Sequence, residues 1–112
     1  MSEILELSRF YIAILEDARI NTTHISLYMA LFQKWNLEGF QTPIQVKRWE
    51  VMELAKISSS ATYHKYLNQL IEYGYINYIP SFNPNSKSAI YLNQNYQPKK
   101  DIGSAGAQPL KR

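Results

Sequence analysis

The chain contains no cysteine in its 112 residues. That absence removes a disulfide framework, a thiol nucleophile and every cysteine-based zinc site, and it fits a reducing, cytoplasmic setting. There are only two histidines. His24 and His64 lie far apart without acidic neighbours in sequence, which is a poor basis for a metal site. The sequence has no Gly-rich phosphate loop and no nucleophile elbow. Its acidic pairs, Glu16-Asp17 and Glu50-x-x-Glu53, read as isolated acids on exposed helix faces. No apolar run approaches the roughly 20 residues needed to span a bilayer. The start, Met1-Ser2-Glu3-Ile4-Leu5-Glu6, carries acid where a secretion signal carries base. Catalysis, a cofactor, a metal, a membrane and an evident small-molecule ligand are therefore not expected.

What is present is a chain of one-domain size with 46% apolar residues, enough for a modest core. Formal net charge is a mild +3. Its distribution is uneven. Residues 1–38 hold five acids and three bases, residues 39–95 hold five bases and three acids, and residues 96–112 hold four bases and one acid. Positive charge collecting late in the chain suits a polyanionic partner without requiring one.

Residues 3–19 read as a helix, with Ile4, Leu7, Tyr11, Ile14 and Ala18 at spacings of three and four, and Phe10 and Leu15 widening the stripe. A second helix is expected from His24 to Trp35, capped by Thr22 or Thr23, with Ile25, Tyr28, Met29, Phe32 and Trp35 inward and Gly39 beyond its end. His24 reads as a surface or cap residue. Residues 42–46 read as a short strand. A short helix over 48–56 faces Val51, Leu54 and Ala55 inward. Ile57-Ser58-Ser59-Ser60 is a tight turn ending in a helix cap. The next helix, 60–73, buries Tyr63, Leu67, Leu70 and Ile71 and stops at Gly74, a residue suited to a left-handed backbone. Extended segments at 75–79 and 89–92, joined by the turn-rich stretch 80–88, predict a β-hairpin with a long loop. Residues 96–112 read as a flexible tail.

The order strand, short helix, turn, helix, glycine, hairpin over 44–92 is a helix-turn-helix followed by a wing. Leu54-Ala55, Ile57-Ser58 and Leu67-Asn68-Gln69-Leu70-Ile71-Glu72-Tyr73-Gly74-Tyr75-Ile76 resemble the winged-helix regulators of the GntR and MarR type. The string from Thr23 to Asn36, with Thr62-Tyr63-His64-Lys65 and Gly74-Tyr75-Ile76, also resembles small helix-turn-helix proteins of Bacteroidetes mobile elements. The resemblance covers some 50 to 70 residues. It implies an α+β, mostly α winged helix-turn-helix, a three-helix core with a β-hairpin wing, and it implies DNA binding.

The residues carry the same reading without the families. With Tyr63, Leu67, Leu70 and Ile71 inward, the helix at 60–73 turns Ser60, Ala61, Thr62, His64, Lys65, Asn68 and Gln69 outward. A helix entering a major groove needs such a short, polar, hydrogen-bonding face. Ser60, Thr62 and Lys65 lie in the first two turns, which usually touch DNA in this motif. Asn68 can pair with adenine, and Lys65 with guanine or phosphate. Lys47 and Arg48 suit backbone phosphates. Asn83, Asn85, Ser86, Lys87 and Ser88 form the expected wing tip. Against these stand blander readings. Ser59 and Ser60 can be caps only, the nine tyrosines fit the core better than base stacking, and Trp35 and Trp49 read as core anchors. Lys99-Lys100 reads as solvated tail.

The expected organisation is an N-terminal helix (1–20), a winged-helix body (21–95) and the tail. The leading expectation is sequence-specific binding of double-stranded DNA, as a cytoplasmic transcriptional regulator or a mobile-element factor. A winged-helix protein-interaction module is the alternative. The apolar stripe of residues 3–19 either folds onto its own domain or makes a homodimer.

Overall fold

The computed structural model describes residues 2–79 and 88–92. The expected wing-tip residues Asn83, Asn85, Ser86 and Lys87, and the tail with Lys99-Lys100, lie outside the described residues. The elements run α1 (Ser2–Leu15), α2 (Thr22–Leu37), β1 (Ile44–Val46), α3 (Arg48–Ala55), α4 (Ser60–Glu72), β2 (Ile76–Ile79) and β3 (Ser88–Leu92). The class is α+β, mostly helical. Among the described residues no helix is long and apolar enough to cross a membrane.

Helix α2 starts at a reciprocal cap. The Asn21 side chain accepts from the N–H groups of Thr23 (2.9 Å) and His24 (3.4 Å), and the Asn21 N–H donates to His24 Nδ1 (3.0 Å). The cap is thus Asn21, one position before the expected threonines, because an amide side chain and a ring nitrogen together satisfy more orphan groups than a hydroxyl. Three helices end alike. The N–H of Phe40, Ile57 and Tyr75 reaches back five residues to the carbonyl of Trp35 (2.8 Å), Met52 (2.9 Å) and Leu70 (2.9 Å). This is the Schellman ending, with a left-handed residue at Gly39 (φ 72°), Lys56 (φ 63°) and Gly74 (φ 91°). Each ending also turns an apolar side chain inward. Phe40 meets the Trp35 ring edge-on at 4.9 Å, and Ile57 and Tyr75 are buried.

The sheet is antiparallel with β3 in the middle, in the order β1-β3-β2. Ile44 pairs with Ile90, and Ile76 with Leu92. The period of two then puts Ile44, Val46, Ile76, Ile90 and Leu92 together on the buried face. Ser88 is a strand residue, its hydroxyl 3.1 Å from that of Tyr78, and does not belong to the loop tip.

Helix α2 is the hub, packed on α3, α4 and β1. Its fully buried residues are His24, Leu27, Tyr28, Ala30, Leu31 and Trp35. Ile25, Met29 and Phe32, expected on its apolar face, are half-buried. Three neighbours cover a wider arc than one stripe, so the buried face is broader and rotated. On α3 only Val51 and Ala55 are buried. Trp49, expected as a core anchor, is 61% exposed, and Leu54, expected inward, is 42% exposed. Trp49 sits two residues from Val51, about 200° around the helix, and so faces away from α2.

Helix α1 stops four residues earlier than expected. Asp17 leaves the helix to take two hydrogen bonds from the Arg19 side chain, at Nε and Nη2 (2.8 Å each), and one from the Tyr75 hydroxyl (2.7 Å). The Arg19 guanidinium lies 4.0 Å from the centre of the Tyr73 ring. This network straps the α1–α2 connection to the end of α4. Asp17, expected as an isolated exposed acid, is its hub. The expected stripe of α1 is split. Leu7 and Ile14 are half-buried, Ile4 and Tyr11 are exposed, and Ala18 lies past the helix. The anchor is Phe10, fully buried, stacked on Tyr28 at 3.7 Å and edge-on to Tyr75 at 5.6 Å.

Candidate nucleic-acid interface

Helix α4 is fixed by its inner side. Tyr63, Leu67 and Leu70 are buried at spacings of four and three, so the opposite face is set by the helical period. Ile71, expected in the same stripe, is half-buried. Ser60, Ala61, His64, Lys65 and Asn68 share the outward face and are all exposed. Their side chains are short or basic, and together they offer donors and acceptors without bulk. Lys65 lies 5.5 Å from the Tyr66 ring centre, along the helix surface.

Two residues expected on this face are elsewhere. Gln69 turns to the flank, where its Oε1 lies 2.7 Å from Nε2 of the buried His24. His24, expected as a surface or cap residue, is therefore buried as a cap and a strut and is not at the surface. Its Nδ1 accepts from the Asn21 amide, so its Nε2 carries the proton and donates to Gln69. The ring also meets Tyr66 edge-on at 4.6 Å. Thr62 lies on the same flank and is half-buried. Sequence alone could not find this, since the partners are 45 positions apart.

Ser59 is the N-cap of α4, its Oγ accepting from the Thr62 N–H at 3.2 Å. The cap meets one of the orphan amides of the first turn. Lys47 and Arg48 are exposed at the start of α3, where the Lys47 N–H donates to Glu50 Oε1 at 3.2 Å. Arg48 is also a neighbour of α4. The Tyr63 hydroxyl is pushed up to about 12, by burial first and by Tyr78 second, while the charge of Arg48 opposes the rise. Lys56, exposed in the turn between the two helices, adds a base that sequence reasoning passed over. Its signal was its place, two residues before the serine run. At the far end of the outward face stands Glu72, also exposed. The face is thus basic and polar over its first three turns and acidic at its end.

Other recesses carry different chemistry. An open groove of about 810 Å³ is lined by Glu16, Asp17, Arg19, Glu72, Tyr73 and Tyr75, among others. Two of its charges are engaged with each other, because the Arg19 side chain holds Asp17 well below the usual carboxylate range. A shallower recess of about 220 Å³ lies among Lys34, Leu37, Trp49, Glu50, Glu53 and Leu54. Among the described residues no group of three or more His, Asp or Glu is placed to hold a metal. No family model matches the chain, and neither does any curated protein or solved structure.

Proposed function

We propose that the chain is a winged helix-turn-helix protein that binds duplex DNA, with α4 as the helix that enters the major groove. The observation carrying this reading is the outward face of α4. Ser60, His64, Lys65 and Asn68 are exposed there together, without a large apolar side chain among them. The element order α2-β1-α3-α4-β2-β3 and the strand order β1-β3-β2 are compatible with a winged helix and support the reading of α3 and α4 as the helix-turn-helix. Asn68 is suited to adenine and Lys65 to guanine or phosphate. Lys47, Arg48 and Lys56 suit the phosphate backbone on either side. Ser59 serves as a cap and leaves α4 correctly started, while Thr62 contributes from the flank. The role is that of a cytoplasmic transcriptional regulator or an accessory factor of a mobile element, with no catalytic step.

A second reading is a protein-interaction module of the same architecture. It is favoured by one observation, the apolar surface of Leu37, Trp49 and Leu54, which are 64%, 61% and 42% exposed.

Selection of bound duplexes from a random library, followed by titration of the best site against salt, tests the first reading. Each phosphate contact is expected to add about −0.9 to the slope of log affinity on log salt. Lys65→Ala is expected to lower that slope by about one, and Asn68→Ala to cost roughly 1–3 kcal/mol and relax the preference at one base pair. Failure of micromolar protein to shift any selected duplex at low salt would sink it in favour of the second.

A further inference from the structure

Helix α1 is turned the wrong way for a helix that belongs to one chain only. Its inner face buries a single apolar side chain completely, Phe10. Beside it the same face buries a carboxylate, Glu6, whose Oε1 has no hydrogen-bond partner and whose nearest cation, Arg9, stands 3.9 Å away. Leu7 and Ile14 beside Phe10 are only half-buried, and the outer face is apolar as well. Ile4 is 64% exposed, Leu5 53%, Tyr11 42%, Ile12 64% and Leu15 81%. These residues and the exposed Ser8 fall on one arc of the helix.

We propose that this outer face is a two-fold interface between two copies of the chain, with the α1 helices antiparallel. Three features select a second copy over another occupant. The five exposed side chains amount to roughly 600 Å² per copy, or about 1,200 Å² for a pair, the lower limit of specific interfaces. The face is self-complementary in shape. Ser8 leaves a dent between Ile4, Tyr11 and Ile12, and an antiparallel helix centred near Tyr11 and Ile12 lays the partner's Leu15 over it. It is also self-complementary in charge. Arg9 and Glu16 stand two turns apart on the same edge of the face, both exposed. A two-fold axis between them brings Arg9 toward the partner's Glu16, and Glu16 toward the partner's Arg9. Side chains lean toward the N-terminus of their own helix, so in an antiparallel pair the two converge. A two-fold pair also presents two α4 faces, as an inverted repeat would require.

The test uses the full chain and no DNA, so its outcome is independent of the reading of α4. Sedimentation equilibrium is expected to show dimers at tens of micromolar. The double variant Ile12→Glu/Leu15→Glu removes no buried contact and is expected to raise the dissociation constant more than about tenfold, with the thermal transition retained. Arg9→Glu alone sets acid against acid, and Glu16→Arg alone sets base against base. Each is expected to be mainly monomeric, whereas an equimolar mixture pairs them with both contacts restored. A wild-type chain that stays monomeric at 100 µM overturns the proposal. So does association that survives Ile12→Glu/Leu15→Glu, or a mixture of the charge variants that fails to associate.

Discussion

Replacing Phe10 by alanine measures how firmly α1 is held. The ring is fully buried, lies flat on Tyr28 with 2° between the planes, and meets Tyr75 edge-on. Burying such a side chain is worth about 1.5–3 kcal/mol, and an aromatic pair adds roughly 0.5–1.5 kcal/mol. In the middle of a core, Phe→Ala costs about 3–5 kcal/mol because a cavity remains. Here the cavity lies under α1, which is held by this one fully buried apolar side chain and can lift away, so the loss is capped by the free energy of docking α1. The expected loss is therefore about 2–4 kcal/mol, below the full core value. Urea unfolding followed by circular dichroism, at one fixed protein concentration, gives the total. Hydrogen exchange locates it: amides of α1 are expected to lose most of their protection, while those of α2 and α4 keep protection up to the reduced global stability. A loss under about 0.5 kcal/mol, the size of an ordinary surface substitution, would refute the claim that Phe10 anchors the helix.

Other outcomes follow from single contacts. Asp17 is held well below the usual carboxylate range, first by the Arg19 side chain and, among further hydrogen bonds, by the Tyr75 hydroxyl. A depressed folded value stabilises the protein above the unfolded value near 3.9 and is lost as pH falls. Asp17→Asn is therefore expected to lower stability at pH 7 by roughly 1–3 kcal/mol and to flatten the decline between about pH 5 and pH 2, read from thermal melts across that range. Lys56 holds a left-handed backbone that costs a non-glycine residue about 1 kcal/mol, in a turn whose geometry glycine adopts freely. Lys56→Gly is expected to be neutral or stabilising by up to about 1 kcal/mol in urea, while weakening DNA binding uniformly across sequences; a clear loss of stability would show that the side chain, not the backbone, holds the turn.

Sequence periodicity was enough for α4, whose neighbours all lie on one side of it. Tyr63, Leu67 and Leu70 defined the inner side of α4, and the outward position of Ser60, His64, Lys65 and Asn68 follows from them. The endings at Gly39 and Gly74 were legible because glycine marks a left-handed residue, whereas the same ending at Lys56 carries no such mark. Periodicity failed where burial depends on distant partners. The inner face of α1 is chosen by Tyr28 and Tyr75, and Asp17 is claimed by a hydroxyl 58 residues away. Trp49 shows the opposite error, since aromatic size argues for the core but its position on α3 faces outward. The pairing of β1 with β3 spans the whole helical pair between them and leaves no local signature.

The polar side chains therefore divide by what they hold. Asn21, His24 and Gln69 form a chain of bonds from the start of α2 to the flank of α4. Ser26 donates to the Ala55 carbonyl and ties α2 to the end of α3. Asp17, Arg19, Tyr73 and Tyr75 secure the other end of α4, and Ser59 fixes its start. These bonds lie on the flanks and at the ends of α4 or between the helices behind it, and the outward face contributes to none of them. A surface that reads a ligand needs this arrangement, because its side chains must be held in place by groups other than themselves. Substitutions on the outward face can then change binding while leaving the fold intact, whereas a change at Gln69 or His24 alters both together.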